Sequence, residues 1–151
     1  MIDHFAPQNL SNPAWAFAKL LYIDCPLIDA IASSARRLMN EFDRQGLANI
    51  SWSLATLGIL NLPLLSSISA AALRKNQAFN PQHRSNMAWS FSKLAFPDQP
   101  LLESIASQAL PRIDHFGTQG IVNLVWAYAK LCKLDQPLLD ALASEALKPL
   151  N

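Results

Sequence analysis

Apolar and polar positions follow two nested rhythms in this chain. The short rhythm is helical. Leu27, Ile28, Ile31 and Ala35 recur three or four residues apart, as do Leu10, Ala14, Phe17 and Leu21 upstream, each set marking one side of a helix. The long rhythm is a step of 37 residues. Trp15, Trp52, Trp89 and Trp126 keep it, as do Phe5, Phe42, Phe79 and Phe116. Gln8, Gln45, Gln82 and Gln119 form a further column, and so do Asn12, Asn49, Asn86 and Asn123, then Leu20, Leu57, Leu94 and Leu131, then Pro26, Pro63, Pro100 and Pro137. A fixed period of this length marks a stacked array of supersecondary units. The repeats run over about 2–38, 39–75, 76–112 and 113–149, within one array spanning 1–151.

Each repeat predicts two helices. The first, helix A, is expected over about 7–21, 44–58, 81–95 and 118–133, opened by Ala6, Asp43, Asn80 and Gly117. The second, helix B, is expected over about 25–37, 62–75, 99–110 and 136–147. Asp24, Asn61, Asp98 and Asp135 stand ready as its N-caps. The repeated proline two positions later falls in the first turn, where its missing N–H is harmless. Two helices per repeat with short connections give an all-α fold, an α-solenoid of four helix–turn–helix repeats with eight helices. Pro13 breaks the pattern: it falls inside the first helix A, where Ile50, Met87 and Leu124 stand in the other repeats, and it predicts a kink.

Composition narrows the class. Hydrophobic residues make up 51% of the 151 and charged residues 15%, enough to fill a continuous core and too apolar for a disordered chain. Cys25 and Cys132 sit at different repeat positions and read as free thiols, not as a disulfide framework or metal ligands. His4 and His115 belong to a repeated Ile-Asp-His-Phe turn and read as structural. No metal or cofactor is expected. No run of 18 apolar residues calls for a membrane span, and no targeting peptide is visible before the repeats begin at Ile2. Helix A carries no nucleophile–base constellation, phosphate loop or carboxylate pair, so the chain reads as a recognition protein, not an enzyme.

Projected at 100° per residue, helix A has a core side carrying Leu10, Ala14, Phe17 and Leu21, then Leu47, Leu54 and Gly58 in the next repeat. The opposite side carries Gln8, Asn12, Trp15 and Lys19, then Gln45, Asn49, Trp52 and Thr56, then Gln82, Asn86, Trp89 and Lys93, then Gln119, Asn123, Trp126 and Lys130. The tryptophan and glutamine columns read first as packing between repeats; for asparagine, packing and ligand contact stand level. An overlapping stripe varies more between repeats. It reads Asn9, Asn12, Ala16, Lys19; Gly46, Asn49, Ser53, Thr56; His83, Asn86, Ser90, Lys93; and Gly120, Asn123, Ala127, Lys130. Small residues admit a flat base, amides and hydroxyls read base edges, and lysine meets phosphate. Close helix packing would call for the same small residues.

Net charge is only +1, a weak footprint for a nucleic-acid binder, yet the charges are segregated. Helix A and its caps hold Lys19, Arg44, Arg84, Lys93, Lys130 and Lys133 against Asp43 alone, while the remainder is acidic. A basic helix A surface follows. Arg37, Arg74 and Lys148 form a second basic column, which the C-terminus of helix B explains equally well.

The stretch Phe5-Ala6-Pro7-Gln8-Asn9-Leu10-Ser11-Asn12-Pro13-Ala14-Trp15-Ala16-Phe17-Ala18-Lys19-Leu20, matched by Phe79-Asn80-Pro81-Gln82 leading to Asn86, Trp89 and Leu94, resembles the octotricopeptide repeat. The 37-residue period resembles still more its relative the heptatricopeptide repeat, found in FAST-kinase-like and RAP-domain proteins. The resemblance covers essentially the whole chain, although Arg84 replaces the usual leucine, Pro13 interrupts the first copy and Asp-x-Pro-Leu replaces the octotricopeptide turn. It implies an RNA-binding solenoid of the mitochondrion or chloroplast, serving RNA processing, stability, translation or ribosome assembly. The expected partner is single-stranded or ribosomal RNA, held on a concave helix A surface by Asn9, Asn12, Lys19, Asn49, Ser53, Thr56, His83, Arg84, Asn86, Ser90, Lys93, Asn123 and Lys130. A protein-interaction scaffold is the alternative. The terminal repeats lack polar outer faces, so a longer array or self-association is also expected.

Overall fold

The computed structural model describes residues 5–148. It holds eight α-helices: α1 (Pro7–Leu20), α2 (Cys25–Arg37), α3 (Arg44–Leu57), α4 (Leu62–Lys75), α5 (Pro81–Lys93), α6 (Gln99–Ala109), α7 (Thr118–Lys130) and α8 (Gln136–Ala146). Short 3-10 turns follow α4 at Asn76–Ala78 and α6 at Leu110–His115. No strand occurs among the described residues. His4 of the repeated turn lies outside them; its counterpart His115 is exposed, with Nδ1 2.8 Å from Asp114 Oδ1.

The repeat period sets where each helix begins. Asp24, Asn61, Asp98 and Asp135 each accept a hydrogen bond from the backbone N–H three residues on, at 2.9, 3.0, 3.0 and 3.1 Å. Each such cap contributes about 1 kcal/mol. Asp43 and Asn80 cap α3 and α5 in the same way, at 2.7 and 2.8 Å.

Helix A also ends alike in every repeat. Leu21, Gly58, Ala95 and Cys132 stand 37 residues apart with φ of 52°, 70°, 52° and 50°. The N–H of the following residue reaches back five residues in each case: Tyr22 to Phe17, Ile59 to Leu54, Phe96 to Phe91 and Lys133 to Tyr128. This is the Schellman arrangement, which satisfies the last free carbonyls by turning one residue left-handed. Leu21 and Gly58 therefore leave the core side, where helical projection placed them, and both are exposed.

The odd helices stack in the order α1–α3–α5–α7 and the even ones in the order α2–α4–α6–α8, with each odd helix also resting on the even helix of its own repeat. This is the helix–turn–helix solenoid. Successive odd helices approach one another far more closely than successive even helices do. Small residues permit it: Ala55, Ala88 and Ser92 are fully buried between odd helices, and Ser92 Oγ donates across the junction to the Ala127 carbonyl at 3.0 Å. Between the two layers Leu47, Leu64, Leu65, Ile68, Phe91 and Leu138 form the core. Full burial of such side chains contributes roughly 1.5–3 kcal/mol each. Phe42, Phe79 and Phe116 close the space under the start of each following helix A, and a Cβ on Gly46 would stand 3.0 Å from the Phe42 ring.

Pro13 does not break α1, which continues through it. Its counterparts Ile50, Met87 and Leu124 are buried against the preceding odd helix, and α1 has none before it among the described residues.

Candidate nucleic-acid interface

The outward stripe of helix A survives as a surface. Gln8, Gln45, Gln82 and Gln119 are exposed; Asn12 is exposed and Asn49, Asn86 and Asn123 half-buried. Trp15 and Trp126 leave 45% and 39% of their surface in solvent, and Trp52 and Trp89 are half-buried. The tryptophans, read from sequence as packing residues, are thus partly packed and partly in solvent. Stacked side by side, the four stripes make a ribbon. It is about 17 Å wide from glutamine to lysine, since eleven residues of helix rise about 1.5 Å each.

Chemistry changes in order across that ribbon. At the lysine edge, Lys19 Nζ lies 5.9 Å from the Trp15 ring centroid, and Lys93 and Lys130 each lie 4.8 Å from Trp89 and Trp126. The i, i+4 spacing sets each ammonium over the ring one turn back. Such cation–π contacts contribute about 0.5–1 kcal/mol at exposed sites and hold the charges in a row. Lys130 Nζ also reaches the Lys93 carbonyl at 3.5 Å, and the Trp89 and Trp126 centroids are 6.3 Å apart. The second repeat lacks the cation, because half-buried Thr56 stands in its place.

At the glutamine edge, α5 and α7 enclose a groove of about 380 Å³. Gln82, Asn86, Gln119 and Asn123 line it, with Phe116 and Gly120 beneath. Gln119 Nε2 donates to Asn123 Oδ1 at 2.8 Å. These amides present both donors and acceptors, the set that reads the edge of a base.

Four candidates leave the surface: Ser53, Ser90 and His83 from the variable stripe, and Arg84 beside it. Ser53 and Ser90 are buried where neighbouring odd helices meet, and their hydroxyls donate to the Asn49 and Asn86 carbonyls at 2.7 and 2.6 Å. Close helix packing accounts for them. His83 is buried in an N-terminal capping box, its N–H on Asn80 Oδ1 and its Nδ1 accepting from the Asn80 N–H at 3.4 Å. Burial, then the charge of Arg44, hold its pKa below the ordinary 6.5 against the opposing pull of Asp43, with Arg84 lowering it further. Arg84 is 1% exposed in the core column that holds Leu10, Leu47 and Ile121 elsewhere, and burial lowers its pKa, helped by Arg112. Asn9, Asn12, Lys19, Lys93 and Lys130 remain exposed, and Asn49, Thr56, Asn86 and Asn123 partly so.

Five other cations are engaged in structural contacts. Lys133 Nζ donates to Gln99 Oε1 at 3.1 Å, and Arg74 reaches Asn40 Oδ1 at 2.7 Å. Lys75 donates to the Asn40 and Phe42 carbonyls, Arg37 to Ser34 Oγ, and Lys148 pairs with Glu145. On helix A the basic surface therefore contracts to the lysine row, with exposed Arg44 beside it on α3. The signal for the tryptophans and glutamines was already in the helical projection, which set both columns on the outward side.

No helix is long and apolar enough to cross a membrane among the described residues. No curated protein matches the chain. A family model does, over residues 1–136: this chain, an all-helical repeat protein with a cationic and aromatic ribbon, belongs to the RNA-editing substrate-binding complex 6 protein family.

Proposed function

We propose that the ribbon of helix A binds single-stranded RNA, with about one nucleotide per repeat. One observation carries the reading: lysine–tryptophan pairs recur at the same position in three of the four repeats of an otherwise weakly charged protein, at the solvent-facing edge. Phosphates run along Lys19, Lys93 and Lys130. Bases lie toward the tryptophans and amides, where stacking on an aromatic ring contributes about 1–3 kcal/mol per base. The closer approach of successive odd helices supports placing this ribbon on the inner, concave side of the array. The family's name, which speaks of RNA editing and of substrate binding, supports RNA as the ligand.

The protein acts by recognition and not by catalysis, within a mitochondrion or chloroplast as the helical-repeat resemblance implies. Imaging the tagged gene product tests the compartment. The binding test is fluorescence anisotropy with short labelled RNAs, single-stranded and duplex, at low salt. Single strands are expected to bind and to quench tryptophan emission, and Trp89→Ala with Trp126→Ala to weaken binding at least tenfold. Equal affinity for duplex RNA, or no single-strand binding at low salt, overturns the reading.

A further inference from the structure

Every odd helix has a forward face that receives the next repeat. That face is Ser11, Ala14 and Ala18 in α1, then Ala48, Ser51 and Ala55 in α3, then Ser85, Ala88 and Ser92 in α5. All of these are at most 3% exposed, because the next odd helix lies on them. In α7 the same face is Val122, Val125 and Ala129, and it is open: Val122 is 54% and Val125 41% exposed. The side chains have grown where the cover is missing. A terminal repeat of a solenoid that stands alone carries a polar outer face instead.

The rear face of α1 is open in the complementary way. Ile50, Met87 and Leu124 are 0–1% exposed against the preceding helix, but their counterpart Pro13 is only half-buried. Ser53, Ser90 and Ala127 are buried, while their counterpart Ala16 is exposed. Leu20, beside it, is almost wholly in solvent. Nothing among the described residues covers either end.

We propose that the α7 face of one copy receives the α1 face of a second copy, continuing the odd layer head to tail. The chain itself shows, at three internal junctions, that the occupant of this face is the rear face of another helix A. The register is given by Ser92 against Ala127, and by Ser85, whose Oγ would stand 3.6 Å from a Cβ on Gly120. Carried across the junction, it sets Val125 beside Pro13. A small residue (Ala14, Ser51, Ala88) against a large one (Ile50, Met87, Leu124) becomes Val125 against the smaller Pro13, so the summed volume is kept. Neither face carries a charge, which fits an apolar self-contact and not a partner selected by charge. Trp126 and Trp15, both half in solvent, come alongside each other as Trp89 and Trp126 already do. Because the two faces differ, the contact is heterologous and propagates into a chain or closes into a ring. The proposal rests on packing alone and is independent of the RNA reading.

Sedimentation velocity of the full chain over a wide concentration range tests it. Wild type is expected to rise in mass beyond a dimer. Val125→Asp blocks the α7 face and Ala16→Asp the α1 face; each alone is expected to stay monomeric. Mixed in equal amounts they give a 1:1 dimer, since Ala16→Asp keeps an intact α7 face and Val125→Asp an intact α1 face. Circular dichroism and melting confirm that both keep their fold, and Val122→Lys repeats the α7 block at the more exposed position. Three results overturn the proposal: a wild type monomeric throughout, self-association unchanged in either variant, or a mixture that stays monomeric while wild type associates.

Discussion

Neutralising the lysine row separates a phosphate-binding ribbon from a merely stable helix surface. Lys19, Lys93 and Lys130 each lie over the tryptophan one turn back. Replacement by glutamine keeps the aliphatic stem on the ring and removes only the charge, so the fold is expected to survive. Each phosphate neutralised on a single strand contributes about 0.7 to the slope of log affinity against log salt, so three lysines contribute about 2.1. Between 50 and 200 mM salt, a fourfold change, that slope weakens binding roughly 20-fold. Lys93→Gln alone should lower the contribution to about 1.4, or roughly sevenfold over the same range. The triple replacement should abolish it, leaving the stacking part of the affinity nearly independent of salt. Anisotropy titrations of a labelled single strand at four or five salt concentrations read the slopes directly. A triple variant with the wild-type slope would refute the assignment of phosphates to this edge, whatever its absolute affinity.

Three further predictions concern the scaffold. Arg84→Leu restores the apolar column of Leu10, Leu47 and Ile121 and relieves the burial of a guanidinium; a gain of about 1 kcal/mol, or roughly 2–4 °C in melting temperature, is expected, and a loss would argue against it. At the left-handed ends of helix A, Gly58→Ala should cost about 1 kcal/mol, while Ala95→Gly at the equivalent position should stabilise by a similar amount; chemical denaturation checks both signs. His83 is the acid-sensitive group. Its folded pKa lies below 6.5, so under about pH 6.5 the unfolded chain binds a proton that the folded chain resists, and stability falls with pH. His83→Gln keeps a capping-box residue without the titration, and melting temperatures between pH 7.5 and 5.5 should fall less steeply in that variant than in wild type.

What the sequence determined by itself is the scaffold. The 37-residue columns, the four B-helix caps and the helical spacing of apolar residues are local or periodic signals, and all are written in the order of residues. They set the boundaries of the eight helices to within three residues and put glutamine, asparagine, tryptophan and lysine on one outward stripe. The left-handed ends of helix A were not read from the sequence, which placed even Gly58 on the core side of the helix. Leu21, Ala95 and Cys132 carry no signature of that conformation, and the Schellman hydrogen bonds impose it.

Tertiary structure decided which polar residues are available. Ser53, Ser90, His83 and Arg84 read as contacts because a hydroxyl, an imidazole or a guanidinium is usually found in water. Each is buried here: Ser53 and Ser90 against the preceding odd helix, His83 in its capping box beside Phe79, and Arg84 on the inner side of α5 beside Leu101 and Ile105 of α6. Exposure at those positions depends on the neighbouring helix, which no single-helix projection contains. The same neighbour explains the two ends of the array. Val122 and Val125 stand where the other repeats bury small alanines and serines, and it is the missing cover that leaves them exposed.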